Sequence, residues 1–202
     1  MSNNLDSLVT ELNYTFYEND KVGIMISGGL DSGLLLYLLL GMNPDYISKL
    51  TVFTVPRFDD SVVHATRMVN WVAGTFNQTM SITEVGDPTL FHSRQVNSGV
   101  EEALKVVDTI LLGDTLLPTV KLEGTTPIRH KNSNPKVNQI YLNLKFDKTH
   151  VVNIAHELGL YSLFSMSHTC TQSKMYRCNK CWQCRERAWA FNELEINDPG
   201  EM

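Results

Sequence analysis

Short apolar runs alternate with longer helical patterns along this chain, and that order leaves few folds open. Val22 to Ile26 is a strand-type run, and Leu30 to Leu40 follows as a buried helix closed by Gly41. Leu50 to Val55 is a second strand, ended by Pro56. Asp60 or Ser61 caps a helix reaching about Phe76. Met80 to Val85 is a third strand, Val100 to Val107 a helix, and Thr109 to Leu112 a fourth strand closed by Gly113. Repeated strand–helix units of this kind give a parallel sheet with crossover helices on both faces. Ligands bind such sheets at the carboxyl ends of the strands, near the switch in strand order. The expected rim is therefore Ser27 to Ser32, Thr54 to Phe58 and Gly113 to Thr115.

The flanking segments are read more coarsely. Leu5, Leu8, Val9, Leu12 and Phe16 fall on one helical face, which predicts a helix over residues 5–18. Pro118, Gly124, Pro127 and Pro135 punctuate a loop that covers the site. Tyr141 to Phe146 reads as a short extended segment. Asp147 caps a helix through Leu158, which Gly159 ends, and Arg185 to Leu194 is a last helix. Asn197 to Met202 reads as a frayed tail.

Composition narrows the class. The chain has 202 residues, of which 43% are hydrophobic, enough for one core without disulfides. No apolar run approaches the ~20 residues of a membrane span. The first twenty residues carry Asp6, Glu11, Glu18 and Asp20 but no basic residue, so no leader is read and a cytoplasmic location is expected. The formal net charge is −5, unlike a general nucleic-acid coat. One stretch reverses the sign. Between His168 and Phe191 stand Lys174, Arg177, Lys180, Arg185 and Arg187 against Glu186 alone. It is read either as an attractor for an anionic ligand or as a solvated basic face.

Two motifs carry chemistry. Ser27-Gly28-Gly29-Leu30-Asp31-Ser32 lies between the first strand and its helix. Paired glycines let backbone N–H groups approach an anion, and the helix N-terminus adds partial positive charge. Neither Gly-Lys-Ser/Thr nor Gly-x-Gly-x-x-Gly occurs, so this is neither a Walker A loop nor a dinucleotide fingerprint. A carboxylate in an anion cradle needs an intervening cation, and Asp31 is read as a Mg²⁺ ligand. The second motif is Cys170-x7-Cys178-x2-Cys181-x2-Cys184, which holds every cysteine of the chain. Four converging thiolates suit a structural Zn²⁺, with an Fe–S cluster as the rival. His168 is a spare ligand candidate two residues before Cys170.

Ser27, Gly28, Gly29, Asp31 and Ser32 match every specified position of the Ser-Gly-Gly-x-Asp-Ser PP-loop, so the segment resembles that of the ATP pyrophosphatase superfamily. With the cysteine cluster, the chain resembles the 7-cyano-7-deazaguanine synthase (QueC-like) family. Asp147-Lys148-Thr149-His150-Val151-Val152, with Leu158-Gly159 beyond, is similar to its lysine-bearing helix. Thr169-Cys170 and Cys184, Arg185, Arg187, Ala190, Phe191 are similar to its metal site and its ending. Two segments depart from the pattern: Gly113-Asp114-Thr115 runs into Leu116-Leu117-Pro118, and Arg94-Gln95 only approximates an Arg-Asn pair.

The resemblance implies an adenine nucleotide alpha hydrolase-like, Rossmann-like α/β fold. Residues 1–160 would be the ATP-binding domain, and 161–202 a C-terminal zinc-binding helical region packed on it. It implies an ATP-dependent ligase that adenylates 7-carboxy-7-deazaguanine, releases pyrophosphate, and adds ammonia to give the amide or nitrile. Implied roles are catalysis for Asp31 and Lys148 and ATP binding for Ser27, Gly28, Gly29, Leu30, Asp31, Ser32, Thr54, Val55 and Gly113. Arg94 and Asp114 would bind substrate, and Cys170, Cys178, Cys181 and Cys184 would hold Zn²⁺. ATP, Mg²⁺ and Zn²⁺ are the implied cofactors, and a homodimer the implied assembly. The rival readings are a PP-loop enzyme inserting sulfur or nitrogen into a nucleic-acid base, held against Arg177, Arg185 and Arg187, or a non-catalytic nucleotide-binding partner protein.

Overall fold

The computed structural model describes residues 3–200 except Pro44, Phe91, Thr125 and His130. Five strands form one parallel sheet: β1 (Val22–Met25), β2 (Leu50–Thr54), β3 (Ile82–Glu84), β4 (Thr109–Leu112) and β5 (Val137–Gln139). Their order is β3-β2-β1-β4-β5. The chain moves one way from β1 to β3, then returns to lay β4 on the other side of β1. The switch point therefore lies between β1 and β4, where Ile24 faces Leu111 in register.

Period-2 alternation sorts the strand side chains onto two cores. Val22, Ile24, Leu50, Val52 and Leu111 face one side. Met25, Phe53, Ile110, Leu112 and Val137 face the other, covered by Val100 and Ala103 of α5 (His92–Ala103). The first side carries α1 (Asn3–Glu18), α2 (Leu30–Met42), α4 (Ser61–Thr75), α7 (Lys148–Glu157) and α9 (Trp182–Glu193). Short helices α3 (Asp45–Lys49), α6 (Ile140–Asn143) and α8 (Tyr161–Met166) fill the connections. α2 is apolar almost all round because it is enclosed: Leu34, Leu35, Leu36, Leu38, Leu39 and Leu40 are all buried. Phe164, Ala190 and Phe191 from the C-terminal region join the same core as α2, so that region packs directly against the sheet unit.

Three expectations are corrected. Tyr141 to Phe146 is not extended; the strand lies just before it at Val137–Gln139, and Ile140–Asn143 is helical. Asp60 stands at the N-cap of α4, but its side chain makes no capping bond and its carboxylate pairs with Lys174 at 2.8 Å. The Ser61 hydroxyl instead donates to the Val55 carbonyl at 2.6 Å. The tail is docked through Asn197–Gly200, for a reason given below. Asp147 does cap α7, accepting from the Thr149 and His150 amides at 2.9 and 3.4 Å. No helix of the described residues is long and apolar enough to cross a membrane.

Candidate active site and cysteine centre

The glycine loop leaves β1 at the switch point and enters α2, as the strand–loop–helix reading expects. Gly28 sits at φ +78°, and a Cβ there would stand 2.4 Å from Cβ of His64. Gly113, at the end of β4, touches the loop from the other side; a Cβ on it would meet the Ser32 amide nitrogen at 2.9 Å. Gly28→Ala should therefore both strain the backbone and displace α4. The expected result is at least a tenfold loss of nucleotide affinity, about 1.4 kcal/mol, read by calorimetry on the folded variant.

The loop hydroxyls make only long internal bonds. Ser27 Oγ accepts from the Gly29 amide at 3.3 Å, and Ser32 Oγ donates to the Gly29 carbonyl at 3.4 Å. Bonds this long are readily exchanged for phosphate oxygens. The loop opens on a cleft of about 250 Å³ lined by Ser27, Gly29, Asp31, Ser32, Gly113 and Asp114 among others. Val55 also lines it, whereas Thr54 is buried with an unpartnered hydroxyl. Leu30 offers only backbone, since its side chain lies in the core.

Asp31 and Lys148 come together although they are 117 positions apart. The Lys148 ammonium donates to Asp31 Oδ2 in a short charge-assisted bond. The Tyr141 hydroxyl donates to the Asp31 carbonyl at 3.0 Å, fixing the residue at the head of α2. Asp31 Oδ1 is buried and has no partner. An anionic oxygen in that state is a ready cation ligand. Lys148 thus supplies part of the compensation that the sequence reading assigned wholly to Mg²⁺.

Further polar residues surround the cleft. Arg57, within the expected rim but given no role by the sequence, lines it and forms a two-point pair with Asp59 at 2.9 and 3.2 Å. Asp114 accepts from the Gln139 amide at 2.8 Å. A second hollow of about 500 Å³ shares Val96, Leu112 and Asp114 with the cleft and is also lined by Ile128, Arg129, Lys131, Asn132 and Ser133. Arg129 closes its floor with a two-point bond to buried Glu186, both contacts at 2.7 Å. Burial works against the Arg129 charge, but the Glu186 carboxylate outweighs it and raises the pKa. Arg94 is exposed on α5 and does not line the cleft, so the structure does not bring it to the site.

The four cysteine Sγ atoms lie within 4.8 Å of one another. Four thiol sulfurs gathered this closely could converge on one metal ion, and the cluster is compatible with a tetrahedral Zn²⁺ site. Burial raises the Cys178 thiol, but the Cys181 and Lys180 amides outweigh it and bring it down to about 6. Those amides donate to Cys178 Sγ at 3.2 and 3.4 Å. Burial pushes Cys170 and Cys184 up, so metal uptake would have to displace their protons. His168 is not a ligand in this arrangement, since its Nε2 lies 2.8 Å from the Ser173 carbonyl.

The basic stretch is neither free nor simply solvated. Arg187 is 1% exposed, with Nε and Nη2 on the two oxygens of Asp198 at 2.6 and 2.7 Å. Arg177 reaches the same carboxylate at 2.5 Å. Arg185 pairs with Glu123 at 3.1 Å. The arginines considered for a nucleic acid are thus held by acids from outside the stretch, and Asp198 is what docks the tail. Burial would raise the Asp198 carboxyl, but the Arg187 and Arg177 guanidiniums hold it below the ordinary carboxylate range. Its contribution to stability is complete above the ordinary carboxylate pKa and is lost as pH falls through the depressed one. Asp198→Ala leaves a buried guanidinium without its carboxylate and should cost about 3–5 kcal/mol. Thermal melts at neutral pH check this, and the gap to wild type should narrow below about pH 4, roughly the ordinary carboxylate value.

Residues 132–195 match the family described as queuosine biosynthesis protein QueC. This stretch of the chain is QueC-like. It contains β5, the Lys148 helix and all four cysteines, and it does not include the Ser27–Ser32 loop. A search of curated proteins found no match to the chain. The QueC-like stretch and the five-stranded parallel sheet together give the PP-loop α/β architecture.

Proposed function

We propose that this chain is an ATP-dependent ligase of the 7-cyano-7-deazaguanine synthase type. The observation that carries the reading is the Asp31–Lys148 pair at the mouth of the glycine loop, at the switch point of the sheet. Lys148 lies within the QueC-like stretch and Asp31 lies outside it, so the pair joins the two motifs in one site.

The loop amides and the N-terminus of α2 hold the β- and γ-phosphates. Asp31, whose Oδ1 is buried without a partner, would hold Mg²⁺, which when bound would supply positive charge against the departing pyrophosphate. Lys148 screens Asp31 and adds positive charge beside the same oxygens. The acceptor's carboxylate oxygen attacks the α-phosphorus, pyrophosphate leaves, and an acyl adenylate forms. Ammonia displaces AMP to give an amide. A second adenylation, now on the amide oxygen, permits loss of AMP to a nitrile. The hollow beside Asp114 and Arg129 has room for a bicyclic acceptor such as 7-carboxy-7-deazaguanine. The test is incubation with ATP, Mg²⁺, ammonium and 7-carboxy-7-deazaguanine, with mass analysis. The amide or nitrile supports the proposal. Nucleotide turnover without any change in this acceptor removes the substrate assignment.

A further inference from the structure

We infer that the cysteine centre sets the phosphate loop for ATP through a pair of stacked histidines, so that metal retention and nucleotide affinity are linked. This rests on the ATP reading above.

The His64 and His168 rings are parallel, 3.9 Å apart with 5° between planes. Each points its Nε2 at a carbonyl of one loop: His64 at Lys174 and His168 at Ser173, both at 2.8 Å. A carbonyl only accepts, so each ring carries its proton on Nε2. Those carbonyls lie in the span between Cys170 and Cys178, whose two ends belong to the four-cysteine cluster that would hold the metal. Lys174 adds a third tie, its ammonium on Asp60 at 2.8 Å and 5.6 Å over the Phe58 ring.

On its other side the pair reaches the phosphate loop. The His168 amide donates to the Gly28 carbonyl at 2.9 Å. In a trans peptide the C=O and N–H point in opposite directions. Fixing the Gly28 carbonyl on His168 therefore turns the Gly29 N–H away from it, to the side where it donates a long, exchangeable bond to Ser27 Oγ at 3.3 Å, and both Ser27 and Gly29 line the cleft. His64 fills the space beside Gly28 where a Cβ would stand, which stops that peptide from rotating. The order of support is metal, Cys170–Cys178 span, histidine pair, Gly28–Gly29 peptide, phosphate. His64 and His168 are positioning residues, since neither needs to touch ATP.

Linkage of this kind is reciprocal: a ligand that favours the set loop must also favour metal retention by the same factor. The experiment uses the metal-loaded protein, with α,β-methylene-ATP and Mg²⁺ as the probe. Calorimetry gives probe affinity, and a chromophoric chelator gives the rate and extent of Zn²⁺ release. In wild type, saturating probe should lower Zn²⁺ release about tenfold, within the usual range of coupling between sites. His64→Ala should weaken probe binding by a similar factor and abolish the effect of probe on Zn²⁺ release. His64→Phe keeps the ring but loses the bond to Lys174, and it should also lose the linkage. The wild-type measurement stands even if both variants fail to fold. Probe that binds wild type without changing Zn²⁺ release overturns the inference and leaves the ATP reading intact. Probe that does not bind wild type at all overturns both.

Discussion

Asp31→Asn should reduce pyrophosphate release at saturating ATP by at least about 10²-fold, the scale of losing one well-placed charge-stabilising group. The substitution keeps the size of the side chain and removes its charge. It leaves the Lys148 ammonium buried without a counter-ion and removes an anionic ligand from the phosphate site. Lys148→Met does the reverse, exposing Asp31 uncompensated beside the phosphates. Each single change should therefore damage turnover severely. The double variant should be far less than the product of the two, because residues in one ion pair are not independent. Steady-state kinetics of all four proteins gives the coupling. Additive losses would mean that the pair does not act as a unit.

Stripping the metal should have the largest effect on stability. Three of the four cysteines are buried, and the centre ties the segment after α8 to the start of α9. Structural zinc binding is worth on the order of 10 kcal/mol in small zinc domains, and that free energy becomes folding free energy. Here a large apolar core remains, so global unfolding is not expected. Chelation should instead loosen residues 167–185 selectively, seen as faster amide exchange there while β1 and β4 stay protected. Cys184→Ser should reproduce the pattern without chelator. Metal analysis after anaerobic purification should return one zinc per chain, whereas iron with sulfide would contradict this assignment of the centre.

The sequence carried the local features well. The β1–glycine loop–α2 unit was legible because strand, turn glycines and apolar helix adjoin in the chain and need no distant partner. The Asp147 cap and the cysteine spacing were legible for the same reason. The missing parts depend on contacts between remote residues. β5 is only Val137, Asn138 and Gln139, too short to show a period, and it is a strand because β4 offers it an edge. Arg57, Arg129 and Asp198 are single polar residues with no motif around them. Two of them become informative only through partners 57 and 11 or 21 positions away: Glu186 for Arg129, and Arg187 and Arg177 for Asp198. A polar tail with Pro199 and Gly200 looks frayed until the Asp198 carboxylate is seen between two guanidiniums. Arg94 failed in the opposite sense, since a motif approximated in sequence placed its side chain in solvent.

The central claim is that ATP is cleaved between the α- and β-phosphates at the Ser27–Ser32 loop to activate a carboxylate. Phosphorus NMR of the protein with ATP, Mg²⁺, ammonium and 7-carboxy-7-deazaguanine tests it most directly. The expected result is AMP and pyrophosphate in equal amounts, dependent on the acceptor and lost in Asp31→Asn. ADP and inorganic phosphate as the products would contradict it.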